Sequence, residues 1–229
     1  MNSLPEIIHS PELDPPEARQ YRHEMVTTQL MACGIRDHRV LEAMRNLPRH
    51  LFCPSNTPLD EAYGDFPLPV GHGQTISQPL MVADMLQCLE LKGDETVLEI
   101  GTGSGYNAAL LGLLARRVVS LEIISGLAES ASHRLEQLEL GGAVEVVVAD
   151  GSLGWPAGAP YDGIVVTAGT PGIPATLKEQ LRDGGRLVIP VGDRFFQELL
   201  VVRRRGNDFP MRPAGGCRFV PLTGQHGWK

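Results

Sequence analysis

The segment that most constrains the fold is VLEIGTGSGYNAALL, residues 97–111, in which a short apolar run leads through three glycines into a helix-forming stretch. Glycines let the backbone turn tightly and approach a ligand closely. The first turn of the following helix presents backbone amides that have no partner within the helix. This order of strand, glycine loop and helix is typical of a nucleotide-type cofactor site in an α/β sheet.

The chain beyond this segment alternates short Val, Ile and Leu runs with amphipathic stretches. Such runs are typical of parallel strands that are covered by helices on both faces of the sheet. The apolar run at 195–205 follows the run at 185–191 too closely for a crossover helix, so we expect these two to form an antiparallel hairpin. The predicted strands lie near residues 96–100, 117–123, 143–149, 161–168, 185–191, 195–205 and 216–224, and the predicted helices near 80–91, 106–115, 125–140 and 173–181.

The N-terminal third has a different pattern. Helical spacing of apolar residues predicts one helix from about residue 16 to 34 and a second over 37–46, with Asp37 as its N-cap. Residues 49–78 show no strong period, but their apolar content favours a packed region. We interpret residues 1–18 as a flexible tail and 19–229 as a single domain, in which 19–78 form a helical and loop cap over the cofactor-binding sheet of 79–229.

Composition narrows the classes of function. The 42% of hydrophobic and 21% of charged residues are typical of an ordinary globular protein. A formal net charge of −7 disfavours nonspecific binding to nucleic acid or to an anionic membrane. No apolar run approaches the roughly 18 residues that span a bilayer, and the four cysteines form no C-x-x-C pair. We therefore expect a cytoplasmic protein that binds no nucleic acid, membrane or metal.

Acidic residues at two further strand ends complete a nucleoside site. Glu122 ends the second predicted strand and can accept hydrogen bonds from ribose hydroxyls, while Asp150, before Gly151, can accept from an adenine amino group. A dinucleotide would favour G-x-G-x-x-G, but Tyr106 stands where the third glycine would be. Glu99 suits a ligand with an amino acid end, although it could also be a structural acid that caps the glycine turn. These features favour S-adenosylmethionine and a Rossmann-like methyltransferase fold.

The segment after the fourth predicted strand bears on the methyl acceptor. Its sequence, TAGTP at residues 167–171, contains small residues without a carboxylate or an aromatic ring. This argues against methylation of adenine N6 or an amide nitrogen, which needs a group to take up a proton. It favours an acceptor that is already ionised at neutral pH, such as a carboxylate with a pKa of about 4. A dry pocket would accelerate attack of a carboxylate on a sulfonium, because the reaction annihilates charge.

The loop GHGQTISQP, residues 71–79, holds the hydroxyls that such an acceptor needs. Thr75 and Ser77 lie just before a predicted helix, where anions are favoured. Ser77 could equally be an ordinary N-cap, with Pro79 in the first turn. His72 is a candidate base by type, but a carboxylate has no proton to remove, so we assign it a hydrogen-bonding or structural role.

Long stretches of the chain resemble one family, the protein-L-isoaspartate (D-aspartate) O-methyltransferases. They include AYGDFPLPVGHGQTISQPLMVADML before the glycine loop, MVTTQLMACGIRDHRVLEAMRNLPRHLF near the N-terminus and RFVPLTGQHGW near the C-terminus, and together cover about residues 21–228. The resemblance implies methyl transfer from S-adenosylmethionine to the α-carboxylate of isoaspartyl residues in damaged proteins and peptides, giving S-adenosylhomocysteine. The ester then closes to a succinimide. The partners would be such proteins and peptides, and we expect a monomer.

The resemblance also implies roles for particular residues. Ser77 corresponds to the family's active-site serine, and Thr75 and Ile76 to the loop around it. Leu80 and Met81 depart from the aromatic and β-branched residues expected there, which leaves open a carboxyl methyltransferase for the aspartate of one dedicated precursor peptide. The expected cofactor contacts are Glu99, Gly101, Thr102, Gly103, Ser104, Glu122, Asp150, Gly151 and, more weakly supported, Thr223.

Overall fold

The computed structural model describes residues 12–228. Its first helix, α1 (Pro16–Glu24), continues directly into a π-helical segment (Met25–Met31), and α2 (His38–Asn46) follows. Asp37 is the N-cap of α2, as predicted, because its Oδ1 accepts hydrogen bonds from the amides of Arg39 at 2.9 Å and Val40 at 3.2 Å.

The described structure reaches into the segment 1–18 that was predicted as a tail. Asp14 is only 1% exposed, and its carboxylate pairs with Arg22 on α1. This pair fixes the chain before the helix, which begins at Pro16 because a proline at the first helical position loses no hydrogen bond. The rest of the predicted tail, residues 1–11, lies outside the described residues.

The irregular region is packed, as its apolar content indicates. It contains a 3₁₀ turn (Arg49–Phe52), a short helix α3 (Leu59–Ala62), and a hairpin of β1 (Leu68–Gly71) and β2 (Gln74–Ile76). Phe52 and Tyr63 are buried in the core. The strands of this hairpin have four and three residues, which is too short to show a clear alternation in the sequence.

The rest of the chain forms a seven-stranded sheet with flanking helices. Its order is β5-β4-β3-β6-β7-β8-β9, with parallel pairing from β5 to β7 and antiparallel pairing of β8 with both neighbours. This confirms the predicted fold class and its C-terminal hairpin. The elements are α4 (Pro79–Leu89), β3 (Thr96–Ile100), α5 (Tyr106–Leu114), β4 (Arg117–Glu122), α6 (Ser125–Gln137), β5 (Val144–Val148), β6 (Tyr161–Val166), α7 (Ala175–Glu179), β7 (Leu181–Gly192), β8 (Gln197–Arg203) and β9 (Met211–Cys217).

Apolar residues cover both faces of this sheet. Val97 and Leu98, which are neighbours on β3, belong to two different cores because successive side chains of a strand point to opposite faces. The first core joins the N-terminal helices to α4 and α5, and includes Met44 with Leu110. The second packs α7 through Leu177 onto the other face. The N-terminal helices therefore share a core with the sheet. Within the described range no helix is long and apolar enough to cross a membrane.

The last strand lies earlier than predicted. It spans Met211–Cys217, whereas the sequence favoured 216–224. The chain leaves β8 after Cys217. The amide of Phe219 then donates to the side-chain oxygen of Gln197 at 2.8 Å rather than to a backbone carbonyl of β8. Residues beyond it cross the end of the sheet, where the amide of Gly169 donates to the carbonyl of Val220 and that of Leu222 to the carbonyl of Gly169. The β9 sequence carries few strand formers, but an edge position tolerates its proline.

Candidate active site

A cavity opens where β3, β4 and β6 end. Successive strands are added on opposite sides of β3: β4 and β5 lie on one side of it, and β6 and β7 lie on the other. Such a switch point leaves a crevice at the carboxyl ends of the strands. The loops after β3, β4 and β6 line it, together with residues 74–77 and 220–223.

The glycine loop after β3 has the predicted geometry. Gly101 has φ +97°, and a Cβ there would lie 2.4 Å from Oγ1 of Thr167. Gly105, with φ +88°, is the N-cap of α5. A side chain at Gly101 would meet both a backbone penalty and a clash. The predicted loop residues Gly101, Thr102, Gly103 and Ser104 all line the cavity.

Glu122 joins this loop to the end of β4. Its Oε2 accepts the amide of Gly103 at 2.9 Å, and its Oε1 accepts the amide of Ile124 at 3.0 Å. The residue is 6% exposed and lines the cavity. A carboxylate has about four lone-pair positions, so two amides leave capacity for the hydroxyls of a ligand.

Replacing Glu122 by Gln is expected to weaken binding of S-adenosylhomocysteine about 10- to 100-fold, because a hydrogen bond to a charged acceptor contributes roughly 1.5–3 kcal/mol. Calorimetric titration measures this dissociation constant. Glu145→Gln, which changes an exposed carboxylate on β5, is the matched control and should bind as the parent does. Unchanged affinity in Glu122→Gln would contradict the assignment of this residue to the ribose.

Glu99 lies behind the loop. It is fully buried, and its carboxylate accepts Asn107 Nδ2 at 2.7 Å and Ser120 Oγ at 2.5 Å. Ser120 in turn bonds to the hydroxyl of Thr102 at 2.6 Å. Asn107 and Thr102 line the cavity, whereas Glu99 is absent from its lining. The structure therefore places Glu99 as a support of the glycine turn, which was the alternative interpretation of its sequence position.

Burial raises the pKa of Glu99 to about 7, against the hydrogen bonds of Ser120 and Asn107 that favour its ionised form. An unfolded chain titrates this group near 4.5, so between these two values the folded state holds more protons than the unfolded state. Stability linked to Glu99 is therefore greatest at low pH and is lost as the pH rises through about 7.

Glu99→Gln should remove this dependence. Relative to the parent, its unfolding free energy is expected to rise between pH 4.5 and about 7 by roughly 3 kcal/mol, at about 1.4 kcal/mol per pKa unit, and then to level off. Urea unfolding of both proteins at a series of pH values measures the difference. A difference that stays constant over this range would show that the carboxyl group titrates normally.

Asp150 and Gly151, the cofactor contacts expected after β5, take different positions at the cavity. Gly151 lines the cavity, and a Cβ there would lie 2.5 Å from Ile100 Cγ2. Asp150 lies just outside the lining. Burial alone would raise the pKa of Asp150, but hydrogen bonds from the amide and hydroxyl of Ser152 and from the amide of Gln225 outweigh it and lower that pKa. Asp150 thus ties the C-terminal segment, which carries Thr223, to the cavity wall.

Strand β2 and the residue after it bring Thr75, Ile76 and Ser77 to the same cavity as the glycine loop. The interpretation of Ser77 as an N-cap is wrong, because Gln78 is the N-cap residue of α4 and its own side chain does not close the helix. Asp65 caps α4 instead, since its Oδ1 accepts the amide of Leu80 at 2.8 Å and its Oδ2 accepts Gln78 Nε2 at 3.3 Å. Within the described part of the chain, the hydroxyl of Ser77 has no hydrogen-bond partner.

His72 forms the tip of the hairpin, with φ +53° between two glycines. Its ring lies against the first turn of α6, since a Cβ on Gly126 would be 3.6 Å from His72 Nε2. It does not belong to the residues that line the cavity. This position fits the structural role expected for it.

The polar groups of the cavity include no evident base. Of the described residues that line it, Glu122 is the sole carboxylate and none is a histidine. Thr167, which was not singled out from the sequence, donates its hydroxyl to the carbonyls of Gly101 at 2.6 Å and Ile100 at 3.1 Å. Such a lining favours an acceptor group that is already deprotonated. Among residues 12–228 no cluster of three or more His, Cys, Asp or Glu side chains could hold a metal ion.

A doubly wound sheet with a glycine loop after its central strand, an acid at the end of the next and an antiparallel C-terminal edge defines the class of S-adenosylmethionine-dependent methyltransferases. Within this class, the chain belongs to the protein-L-isoaspartate (D-aspartate) O-methyltransferase family, whose model matches residues 21–227. This confirms the resemblance found in the sequence.

Individual relatives support this family assignment. The chain is 54% identical over 208 residues to protein-L-isoaspartate O-methyltransferase 1 of Syntrophobacter fumaroxidans, covering 91% of this chain and 96% of that one. It is 53% identical over 219 residues to the protein-L-isoaspartate O-methyltransferase of Methanoculleus marisnigri, covering 95% and 97%. A solved protein-L-isoaspartate O-methyltransferase superposes with a TM-score of 0.81 at 29% identity, over 90% of this chain and 67% of that one.

A more distant structure shares the fold. It is described as a putative protein-L-isoaspartate O-methyltransferase of Plasmodium falciparum in complex with S-adenosyl-L-homocysteine, and it superposes with a TM-score of 0.76 at 21% identity, over 88% of this chain and 98% of that one.

Proposed function

We propose that the protein repairs damaged polypeptides by transferring a methyl group from S-adenosylmethionine to the free α-carboxylate of L-isoaspartyl, and also D-aspartyl, residues. The observation that carries this proposal is the cavity between the glycine loop and Ser77, which offers hydroxyls and, among its described lining residues, no proton acceptor other than Glu122. Both oxygens of Glu122 already accept backbone amides. A carboxylate with a pKa of about 4 is ionised at neutral pH and needs no base.

The residues present fit the cofactor. Glu122 would accept the ribose hydroxyls, the turn at Gly101 and Gly103 would let the ligand approach the backbone, and Gly151 would border the adenine. When bound, S-adenosylmethionine supplies a methyl group on a positively charged sulfur. These assignments rest on the position of each residue at the cavity and on the chemistry of its donors and acceptors.

The end of the hairpin, at β2 and Ser77, would position the acceptor. Ser77 and Thr75 have hydroxyls that can donate to the substrate carboxylate, and the free hydrogen-bonding capacity of Ser77 fits this use. Apolar side chains of the wall would exclude water, which strengthens attraction between the carboxylate and the positive sulfur. These wall residues are Ile76, Val82, Met85, Val220 and Leu222. All of these groups come from one chain, so we expect the enzyme to act as a monomer on isoaspartyl proteins and peptides.

A pair of peptides tests this function. One carries L-isoaspartate and its twin carries normal L-aspartate at the same position, and both are incubated with methyl-labelled cofactor. We expect label only in the isoaspartyl peptide, as an ester that is lost in mild base. Equal labelling of both peptides, or of neither, would refute the proposed substrate.

A further inference from the structure

An exposed aromatic pair stands at the turn between β7 and β8. Phe195 and Phe196 are 77% and 62% exposed, the two largest values among the large apolar side chains of the described residues. Single exposed apolar residues are common, but adjacent aromatic rings at the rim of a site are typical of a contact surface.

Hydrogen bonds within the turn fix the backbone that carries these rings. Oδ1 of Asp193 accepts the amides of Phe195 at 2.7 Å and Phe196 at 2.8 Å, and the amide of Asp193 donates to the carbonyl of Phe196 at 3.0 Å. The ring of Phe196 lies over Gly216 on β9, where a Cβ would be 2.7 Å from its Cζ. The backbone of the pair and the ring of Phe196 are therefore in place before a ligand binds, which lowers the entropic cost of binding.

A groove connects the aromatic pair to the proposed acceptor site. It is lined by Phe195 and Phe196 at one side and by Thr75, Ser77 and Thr167 at the other. The last three residues also line the cofactor cavity, so the two spaces adjoin at these residues. A polypeptide whose carboxylate reaches Ser77 can therefore extend from the cavity along this groove.

The charge of the groove matches such a ligand. Arg194 and Arg218 line it, and none of its described lining residues is acidic, although the chain as a whole carries a net charge of −7. An isoaspartyl segment brings a negative carboxylate to this positive surface. Charge complementarity favours encounter with such a segment over uncharged extended chains, and an aspartyl segment of the same charge is distinguished only inside the cavity.

We propose that Phe195 and Phe196 bind an apolar side chain next to the isoaspartyl residue, and so make the enzyme select damaged sites with apolar neighbours. This inference rests on the proposed function and adds the substrate subclass. Its physical basis is the burial of apolar area from both partners, against rings whose backbone the Asp193 turn already fixes.

Two isoaspartyl peptides test the inference. One carries Leu and the other carries Ser at the two positions that flank the isoaspartate, one on each side. The two sequences are otherwise the same. We expect the parent enzyme to show kcat/KM about tenfold higher for the Leu peptide, as expected for partial burial of a leucine. Phe195→Ser/Phe196→Ser should bring this ratio close to one, while kcat/KM for the Ser peptide stays within about twofold.

Two further variants sharpen the test. Met211→Ser removes an exposed apolar side chain at the far end of β9 and should leave the ratio unchanged. Gly216→Ala, which displaces the Phe196 ring, should lower the ratio in part. Unchanged affinity for S-adenosylhomocysteine verifies folding of each variant.

The outcomes separate this inference from the proposed function. Methylation of both peptides by the parent with a ratio near one would overturn the aromatic contact alone, as would a double variant that keeps the parent ratio. Methylation of neither peptide by the parent would overturn the isoaspartyl function and this inference with it.

Discussion

Ser77→Ala is expected to lower kcat by about one to two decades while leaving the affinity for S-adenosylhomocysteine close to that of the parent. Ser77 lines the cavity, does not cap α4, and has no hydrogen-bond partner within residues 12–228. Its hydroxyl is thus available to a substrate carboxylate. A hydrogen bond to a charged group contributes roughly 1.5–3 kcal/mol, which corresponds to this loss in rate if the bond orients the acceptor.

Steady-state kinetics on an isoaspartyl peptide measure the effect, and titration with S-adenosylhomocysteine controls for folding. Ser77→Thr keeps a hydroxyl at this position and should recover part of the lost kcat. Thr27→Ala, which removes an exposed hydroxyl that bonds only to backbone carbonyls of the preceding helical turn, should have no effect on kcat. Full activity in Ser77→Ala would assign Ser77 to the shape of the loop rather than to the acceptor.

Arg22→Met is expected to lower the free energy of unfolding by about 3–5 kcal/mol, because the buried carboxylate of Asp14 loses its buried counter-charge and of the two arginines keeps only Arg19, which is 52% exposed. The guanidinium donates to Asp14 through Nη1 at 2.8 Å and Nη2 at 2.9 Å, and through Nε to the carbonyl of Arg45 at 2.6 Å. Both side chains are at most 5% exposed. The pair attaches the start of α1 to α2.

Urea unfolding gives the loss of stability. Arg117→Met is the matched control, since its partner Glu145 and Arg117 itself are both more than half exposed and such a pair contributes at most about 1 kcal/mol. Asp14→Leu/Arg22→Met should be much more stable than Arg22→Met, because it leaves no buried charge unpaired. If Arg22→Met destabilises no more than Arg117→Met does, Arg19 or water compensates the charge of the Asp14 carboxylate and the Arg22 pair is not essential.

The central part of the site could be predicted from the sequence. The glycine loop and Glu122 each follow a strongly apolar run, and parallel strands bring their carboxyl ends to one edge of a sheet. The short segment after Val166 also indicates the acceptor chemistry, since the absence of a base there is visible in the residues themselves. These signals are local, and so they can be recognised without a structure.

Other features depend on contacts between residues far apart in the chain. Asp65 caps α4 by accepting the amide of Leu80, which lies 15 residues later in the chain. The side chain of Gln197 accepts a hydrogen bond from the amide of Phe219, just after the last strand. The sequence pattern assigns the aromatic pair at 195–196 to a strand, yet the structure places it at an exposed turn beside the Ser77 groove. No local pattern encodes these pairings.

The sequence by itself determined the class of fold, the cofactor loop and the family, because the spacing of glycines, acids and apolar runs follows from backbone geometry within each βα unit. Only the tertiary structure decided how single groups are used. It freed Ser77 from helix capping by bringing in Asp65, and it placed Glu99 behind the loop on Asn107 and Ser120. The reason is that hydrogen-bond partners and burial depend on which elements meet in space, and these set whether a side chain serves the fold or a ligand.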